Sequence, residues 1–269
     1  MSTFSADWLA LREPYDVAAR NRTVLDGLAA AFSDRPEITV VDLGCGTGST
    51  VRALSSRLPR RQTWRLHDND LGLLGRAAAR APERGVTVTT VPLDLARDLE
   101  TAFEDPVDLI TASALLDLVS NDWLDRLIVE AAVRRLPLYA ALSYDGRIVI
   151  DPPDSFDVTI VREVNRHQTT DKGFGPALGP GAVATAIERF RRVEYAVASG
   201  QSDWVFKPAD REMQMQILAG WAEASHQNGQ VSKQKIEDWL ARRGALVVAG
   251  ASSMRIGHVD FFADPIATR

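Results

Sequence analysis

The sequence predicts an α/β domain built on a mostly parallel sheet with helices on both faces. Three observations predict it. Short β-branched apolar runs alternate with helix-periodic segments across residues 36–145. The first of these runs enters a glycine-rich turn. Hydrophobic residues make up 45% and charged residues 25% of a 269-residue chain, which suits one large core and excludes disorder.

Residues 16–32 place Val17, Ala18, Val24, Leu25, Leu28 and Phe32 at helical spacing and predict a helix. It ends at Asp34-Arg35-Pro36, because a residue before proline is pushed out of the helical region. Ile38–Leu43 reads as a buried parallel strand and Thr50–Leu58 as a helix stopping before Pro59. Strands follow at Thr63–His67, Val86–Val91, Val107–Ala112 and Leu138–Ser143, with helices at Leu71–Arg80 and Asn121–Arg135 between them. This alternation implies right-handed βαβ units.

Beyond residue 144 the rhythm loosens. Asp145-Gly146 signals a tight turn before Arg147–Ile150. A helix is expected over Phe156–His167, then a loop over residues 171–181 with four glycines and two prolines. Ala182–Arg191 reads as a helix and Val193–Ala198 as a strand. Helices near Pro208–His226 and Val231–Ala249 are marked by Pro208 at a start and Gly250 past an end. Ser252–Phe262 is expected as the last strand.

The formal net charge of -5, from 31 basic and 36 acidic residues, argues against a nucleic-acid partner. Arg57/Arg60/Arg61 and Arg189/Arg191/Arg192 read as solvated helix ends. Cys45 is the only cysteine, so no intramolecular disulfide or cysteine metal cluster can form, and a reducing compartment fits. The four histidines show no metal-binding spacing, and no metal is expected. Met1–Trp8 lacks a basic segment leading into an apolar run, and no stretch reaches 18 apolar residues, so a cytoplasmic protein without a membrane anchor is expected.

A strand-turn-helix with Gly44, Gly46 and Gly48 brings backbone amides to the carboxyl end of a parallel sheet, where such sheets bind nucleotides. A dinucleotide site prefers Gly-x-Gly-x-x-Gly, but here Ser49 stands where the third glycine would fall. Asp42, two residues before the turn, would repel a diphosphate and suits a cationic amino-acid ligand.

Val41-Asp42-Leu43-Gly44-Cys45-Gly46-Thr47-Gly48 resembles the first motif of the class I S-adenosylmethionine-dependent methyltransferase family. Asp68, 20 residues after Gly48, fits the family's acidic residue for the ribose hydroxyls. Asp94 in Pro92-Leu93-Asp94-Leu95 fits the polar residue near adenine, and Val107–Leu116 resembles the fourth-strand segment passing the cofactor. The resemblance covers residues 36–145. It implies a Rossmann-like fold with a seven-stranded, mostly parallel sheet and an antiparallel last strand. It implies S-adenosylmethionine as cofactor, bound by Asp42, Gly44, Cys45, Gly46, Gly48, Asp68, Asn69, Asp94, Leu95 and Ser113.

The resemblance also implies one methyltransferase domain over residues 1–269, with a helical lid at 1–35 and insertions at 146–181 and 208–249 over the substrate side. The implied reaction is in-line methyl transfer to an oxygen or nitrogen of a small-molecule acceptor. Candidates for a general base are His167, Asp117 and Tyr144, with Asp145 beside the last. Arg12 and Tyr15 are placed to meet the cofactor carboxylate or the substrate, and Trp204 to wall a pocket. The helical pair at 208–249 either covers the substrate or forms a homodimer face.

Asp151-Pro152-Pro153-Asp154 is similar to the Asn/Asp-Pro-Pro-aromatic motif of amino-group methyltransferases, but it follows the wrong strand and lacks the aromatic residue. Two alternatives stay open. A S-adenosylmethionine-dependent enzyme moving another group, such as aminopropyl, would need an acidic pocket, with Asp151/Asp154/Asp157 as the one candidate. A non-catalytic S-adenosylmethionine-binding protein would lack a cavity beside the methyl.

Overall fold

The computed structural model describes residues 4–79 and 85–266. Arg80, the expected end of one helix, lies outside the described residues. The chain begins with two helices, α1 (Ala6–Ala19) and α2 (Arg22–Ala31), where the sequence predicted one. Asn21 makes the break. Its side chain accepts from the Val24 amide as the N-cap of α2, and its own amide donates to Asp260 Oδ2 at 2.9 Å.

Strands β1 (Glu37–Leu43), β2 (Arg61–Asp68), β3 (Val86–Pro92), β4 (Leu109–Ser113) and β5 (Leu138–Asp151) pair in parallel, in the spatial order β3-β2-β1-β4-β5. The terminal β8 (Ser253–Pro265) runs antiparallel between β5 and β6 (Tyr195–Gln201). The expected seven-stranded path with an antiparallel last strand is present. An eighth strand, β7 (Trp204–Phe206), pairs with β8 at Met254–Ile256 beyond the end of β6.

Alternation along the strands loads two cores. Val41, Leu43, Leu138 and Ala140 face one way, onto α5 (Asn121–Arg134) and α7 (Ala182–Arg192). Ile38, Val40, Tyr139 and Ala141 face the other way, onto α2, α3 (Ser49–Leu54) and α4 (Leu71–Ala79). Helices on both faces leave the carboxyl ends of β1, β2 and β4 as the open rim.

One expectation is corrected at Asp145-Gly146. The chain does not reverse there, because β5 continues to Asp151 through a register shift between Tyr144 and Ile148 opposite β8. Gly146 carries φ +88° in that bulge. The extended halves of β5 and β8 run beyond the parallel sheet, and with β7 they support a third core under α6 (Asp157–Gln168), α8 (Arg211–Asn228) and α9 (Lys233–Val248). The insertions therefore stand on a β platform continuous with the sheet. Among the described residues, no helix is long and apolar enough to cross a membrane.

Candidate active site

A cavity opens at the rim, between the glycine turn, the ends of β2 and β4, α1, and the loop between α6 and α7. Gly44, Gly46 and Gly48 all hold positive φ, at +65°, +53° and +77°. At Gly46 the requirement is double, since a Cβ there would also sit 3.2 Å from Leu9 Cδ1 of α1. The Gly46 amide donates to Asp68 Oδ2 at 2.9 Å, and the Asp70 amide donates to Oδ1 at 3.0 Å. Asp68 thus shapes the turn while its partly exposed carboxylate lines the cavity.

The cavity wall divides into three parts. Gly44, Cys45 and Gly46 line it beside Asp68 and Asn69. Leu73, Leu93 and Leu95 supply an apolar side at the ends of β2 and β3. Ser113, Ala114, Leu115 and Leu118 line the end of β4, where Ala114 takes φ +51°. Ser113 Oγ accepts from Arg20 Nη2 at 2.9 Å, and Arg20 Nη1 donates to the Tyr139 hydroxyl, so a buried cation holds this wall.

Helix α1 closes the cavity with one face, Leu9, Arg12 and Asp16, which lie at helical spacing over the turn. Arg12 forks Asp16 through Nε and Nη2 at 2.9 and 3.2 Å, and Trp204 Nε1 donates to Asp16 at 2.9 Å. The Arg12 guanidinium also stacks 4.9 Å from the Trp204 ring centre. Trp204 therefore supports the wall from behind. Arg52 donates to Glu13 through Nε and Nη2 and to the Thr47 carbonyl at 2.7 Å, tying α1 to the glycine turn. Tyr15 turns away and donates to Asp210 at 2.9 Å.

Several residues expected at the site stand behind the cavity wall. Asp42 is buried below the turn and accepts from Thr111 Oγ1 at 2.7 Å. Burial pushes its carboxyl up to about 7, against the pull of Thr111 and Arg20. Gly48 caps α3 and packs toward Ala77 and Leu66. Asp94 Oδ1 accepts from the Ala96 amide at 3.0 Å, so its carboxylate caps the following turn while Leu93 and Leu95 face the cavity.

None of the three base candidates lines the cavity. His167 Nε2 meets Gln227 Oε1 of α8 at 2.9 Å. The Tyr144 hydroxyl donates to Asn165 at 2.6 Å, and burial and nearby acids raise its pKa. Asp117 is buried with Oδ1 unpartnered, and burial pushes it up to about 6, partly offset by backbone amides and Arg12. As placed, Asp117 and Tyr144 are buried, and His167 is half-buried against α8. His258 is buried and stays neutral, and among the described residues no His/Cys/Asp/Glu group could hold a metal.

The residues that composition missed are Lys172 and Phe174, which line the cavity from the α6–α7 loop. Both belong to the segment over residues 171–181 that the glycines and prolines marked as a loop, and His167 stands just before it, in contact with Lys172. Asp154 pairs with Arg242 and Asp157 with Arg243, both on α9. These two acids are consumed by the cap.

Residues 40–136 match the family model described as a methyltransferase domain. Over 182 residues the chain is 31% identical to a trans-aconitate 2-methyltransferase from Klebsiella pneumoniae (strain 342), covering 66% of this chain and 64% of that protein. The match thus spans just under two thirds of the relative's length. A cyclopropane-fatty-acyl-phospholipid synthase-like protein from Lactobacillus casei shares the fold, with TM-score 0.54 at 13% identity over 96% of this chain and 94% of that one. The YcgJ protein of Bacillus subtilis does so with TM-score 0.51 at 13% identity, over 92% and 100%. With the glycine turn, the strand order and the Asp68 carboxylate at one rim, residues 40–136 match a methyltransferase domain, and the chain is similar to class I S-adenosylmethionine-dependent methyltransferases.

Proposed function

We propose that the protein transfers the methyl group of S-adenosylmethionine to a carboxylate oxygen of a small-molecule acceptor. The observation that carries this reading is the shared cavity of Gly44–Gly46, Asp68 and Ser113–Leu115, three strand ends converging on one space. The residues present fit the cofactor. Each Asp68 oxygen accepts one amide and retains a lone pair for a ribose hydroxyl. Leu73, Leu93 and Leu95 offer an apolar face to a purine, and Asp16, whose Oδ2 accepts from Arg12 Nε alone, keeps a lone pair for the ammonium of an amino-acid end.

The bound cofactor supplies a methyl group on a sulfonium, a good leaving group. The protein aligns and excludes water, and α1 does this by lying over the glycine turn. A carboxylate nucleophile is already ionised and needs no base. That agrees with a cavity wall that His167, Asp117 and Tyr144 do not reach. The name of the Klebsiella relative gives a carboxylic acid as its acceptor, which supports the same choice here. Within one domain, α1 serves as the lid and the α6–α7 loop, through Lys172 and Phe174, as cover on the acceptor side, with α8 and α9 packed behind it.

Two measurements test the reading. Calorimetry should detect binding of S-adenosylhomocysteine, with Asp68→Ala abolishing most of it. Incubation with methyl-labelled cofactor and a panel of small carboxylic acids should yield a labelled methyl ester by mass spectrometry. Absence of cofactor binding would remove the reading. Binding without transfer to any acceptor would favour a cofactor-binding protein that is not a catalyst.

A further inference from the structure

The α6–α7 loop places on the cavity one cation that, among the described residues, no acid pairs with. Lys172 lines the cavity. Its Nζ lies 3.2 Å from His167 Nδ1 and 3.0 Å from Thr170 Oγ1. Among the described residues it forms no ion pair, whereas the cavity's other cation, Arg12, is held by Asp16. Burial lowers the Lys172 pKa, and no carboxylate opposes that shift. Partly burying an ammonium without a counter-ion costs free energy, which a bound anion would recover.

The arm is fixed in place. His167 Nδ1 accepts from Lys172 while Nε2 donates to Gln227 on α8, and one neutral tautomer satisfies both contacts. Asp171 Oδ1 accepts from the amides of Gly173 and Gly175 at 2.6 and 3.0 Å, closing the loop on itself. Phe174 packs edge-on to Trp123 at 5.6 Å, and Ala177 bridges to Ser120. Lys172 therefore projects from an ordered loop, and little entropy remains to be lost on binding.

We propose that Lys172 is the specificity-determining residue that binds the anionic group of the methyl acceptor, a small carboxylate. This rests on the methyl-transfer reading of the cavity. Arg12 is committed to Asp16, so Lys172 is the cavity cation with charge to give.

The test is calorimetric titration of the full chain with trans-aconitate and malonate as probe anions, with and without S-adenosylhomocysteine. Lys172→Gln should weaken the tighter-binding probe about tenfold, as expected for losing a charge-assisted hydrogen bond. It should leave S-adenosylhomocysteine affinity unchanged, and Lys172→Arg should restore most of the loss. The inference is overturned if the wild-type chain binds neither probe, if Lys172→Gln leaves probe affinity unchanged, or if cofactor-product affinity falls in step. Failure of the methyl-transfer reading shows separately, as wild-type protein that does not bind S-adenosylhomocysteine. Lysine-dependent anion binding would stand even then.

Discussion

The Gly46 amide donates to Asp68 Oδ2 at 2.9 Å, so the end of β2 holds the turn that follows β1 in shape. The carboxylate proposed to bind the ribose is also a structural partner of the loop beside it. Asp68→Ala should therefore act twice, removing the ribose acceptor and releasing the Gly46 amide. S-adenosylhomocysteine affinity should fall about 10- to 100-fold, the usual cost of losing hydrogen bonds to a charged group. Calorimetry on Asp68→Ala reads this directly, and a loss under threefold would remove Asp68 from the cofactor site.

Glu13 and Arg52 clasp the lid to the glycine turn, because Arg52 also donates to the Thr47 carbonyl. Arg52→Ala should raise KM for S-adenosylmethionine while changing kcat little, since the clasp positions α1 and touches no reacting atom. Arg52→Lys should not rescue it, because an ammonium cannot reproduce the two-pronged contact. Equal loss in kcat and kcat/KM would show instead that the clasp acts in the transition state.

Much of this arrangement is legible in the sequence where local signals and burial agree. The run Val40–Leu43 into three glycines predicts strand, turn and helix, and Asp68 falls at the expected strand end. The orientation of side chains is less legible. Asp42 and Asp94 stand at family positions, yet one is drawn under the turn by Thr111 and the other is used by the Ala96 amide. The break at Asn21 depends on Asp260, 239 residues away, and the short β7 exists because β8 offers a free edge. Lys172 gave no periodic or motif signal. Its meaning comes from forming no ion pair among the described residues while lining the cavity, a property of the folded chain alone.

Asp42 should make stability depend on pH. Its folded pKa, about 7, lies above the ordinary 3.8, so between those values the folded state holds a proton that the unfolded state releases. Stability from this group is therefore full below pH 4, declines as pH rises toward 7, and levels off above it. One pH unit in that window is worth at most ~1.4 kcal/mol. Asp42→Asn keeps an acceptor for Thr111 and removes the titration. Urea unfolding at a series of pH values should show a flatter profile for Asp42→Asn than for the wild type between pH 4 and 7. Parallel profiles would mean that Asp42 does not titrate in that range.

The cap over the extended antiparallel β5–β8 pair depends on Arg243. Its side chain is fully buried, pairs with Asp157 at the start of α6, and donates to the Pro152 carbonyl. Asp157 also accepts from Trp239 Nε1 at 2.9 Å, so one carboxylate joins α6 to two residues of α9. Removing one member of such a buried pair leaves the other charge uncompensated and costs about 3–5 kcal/mol. Arg243→Met should lose that much stability in chemical unfolding. Arg243→Met with Asp157→Asn should recover part of it, because no charge is then left unpaired. The cap packs on a third core that meets the lid through Trp8, Leu11 and Tyr15 but includes no residue of the glycine turn, so S-adenosylhomocysteine affinity should change less than probe-anion affinity in any variant that stays folded. A single variant that lost cofactor-product binding first would mean that the cap braces the glycine turn rather than the acceptor side.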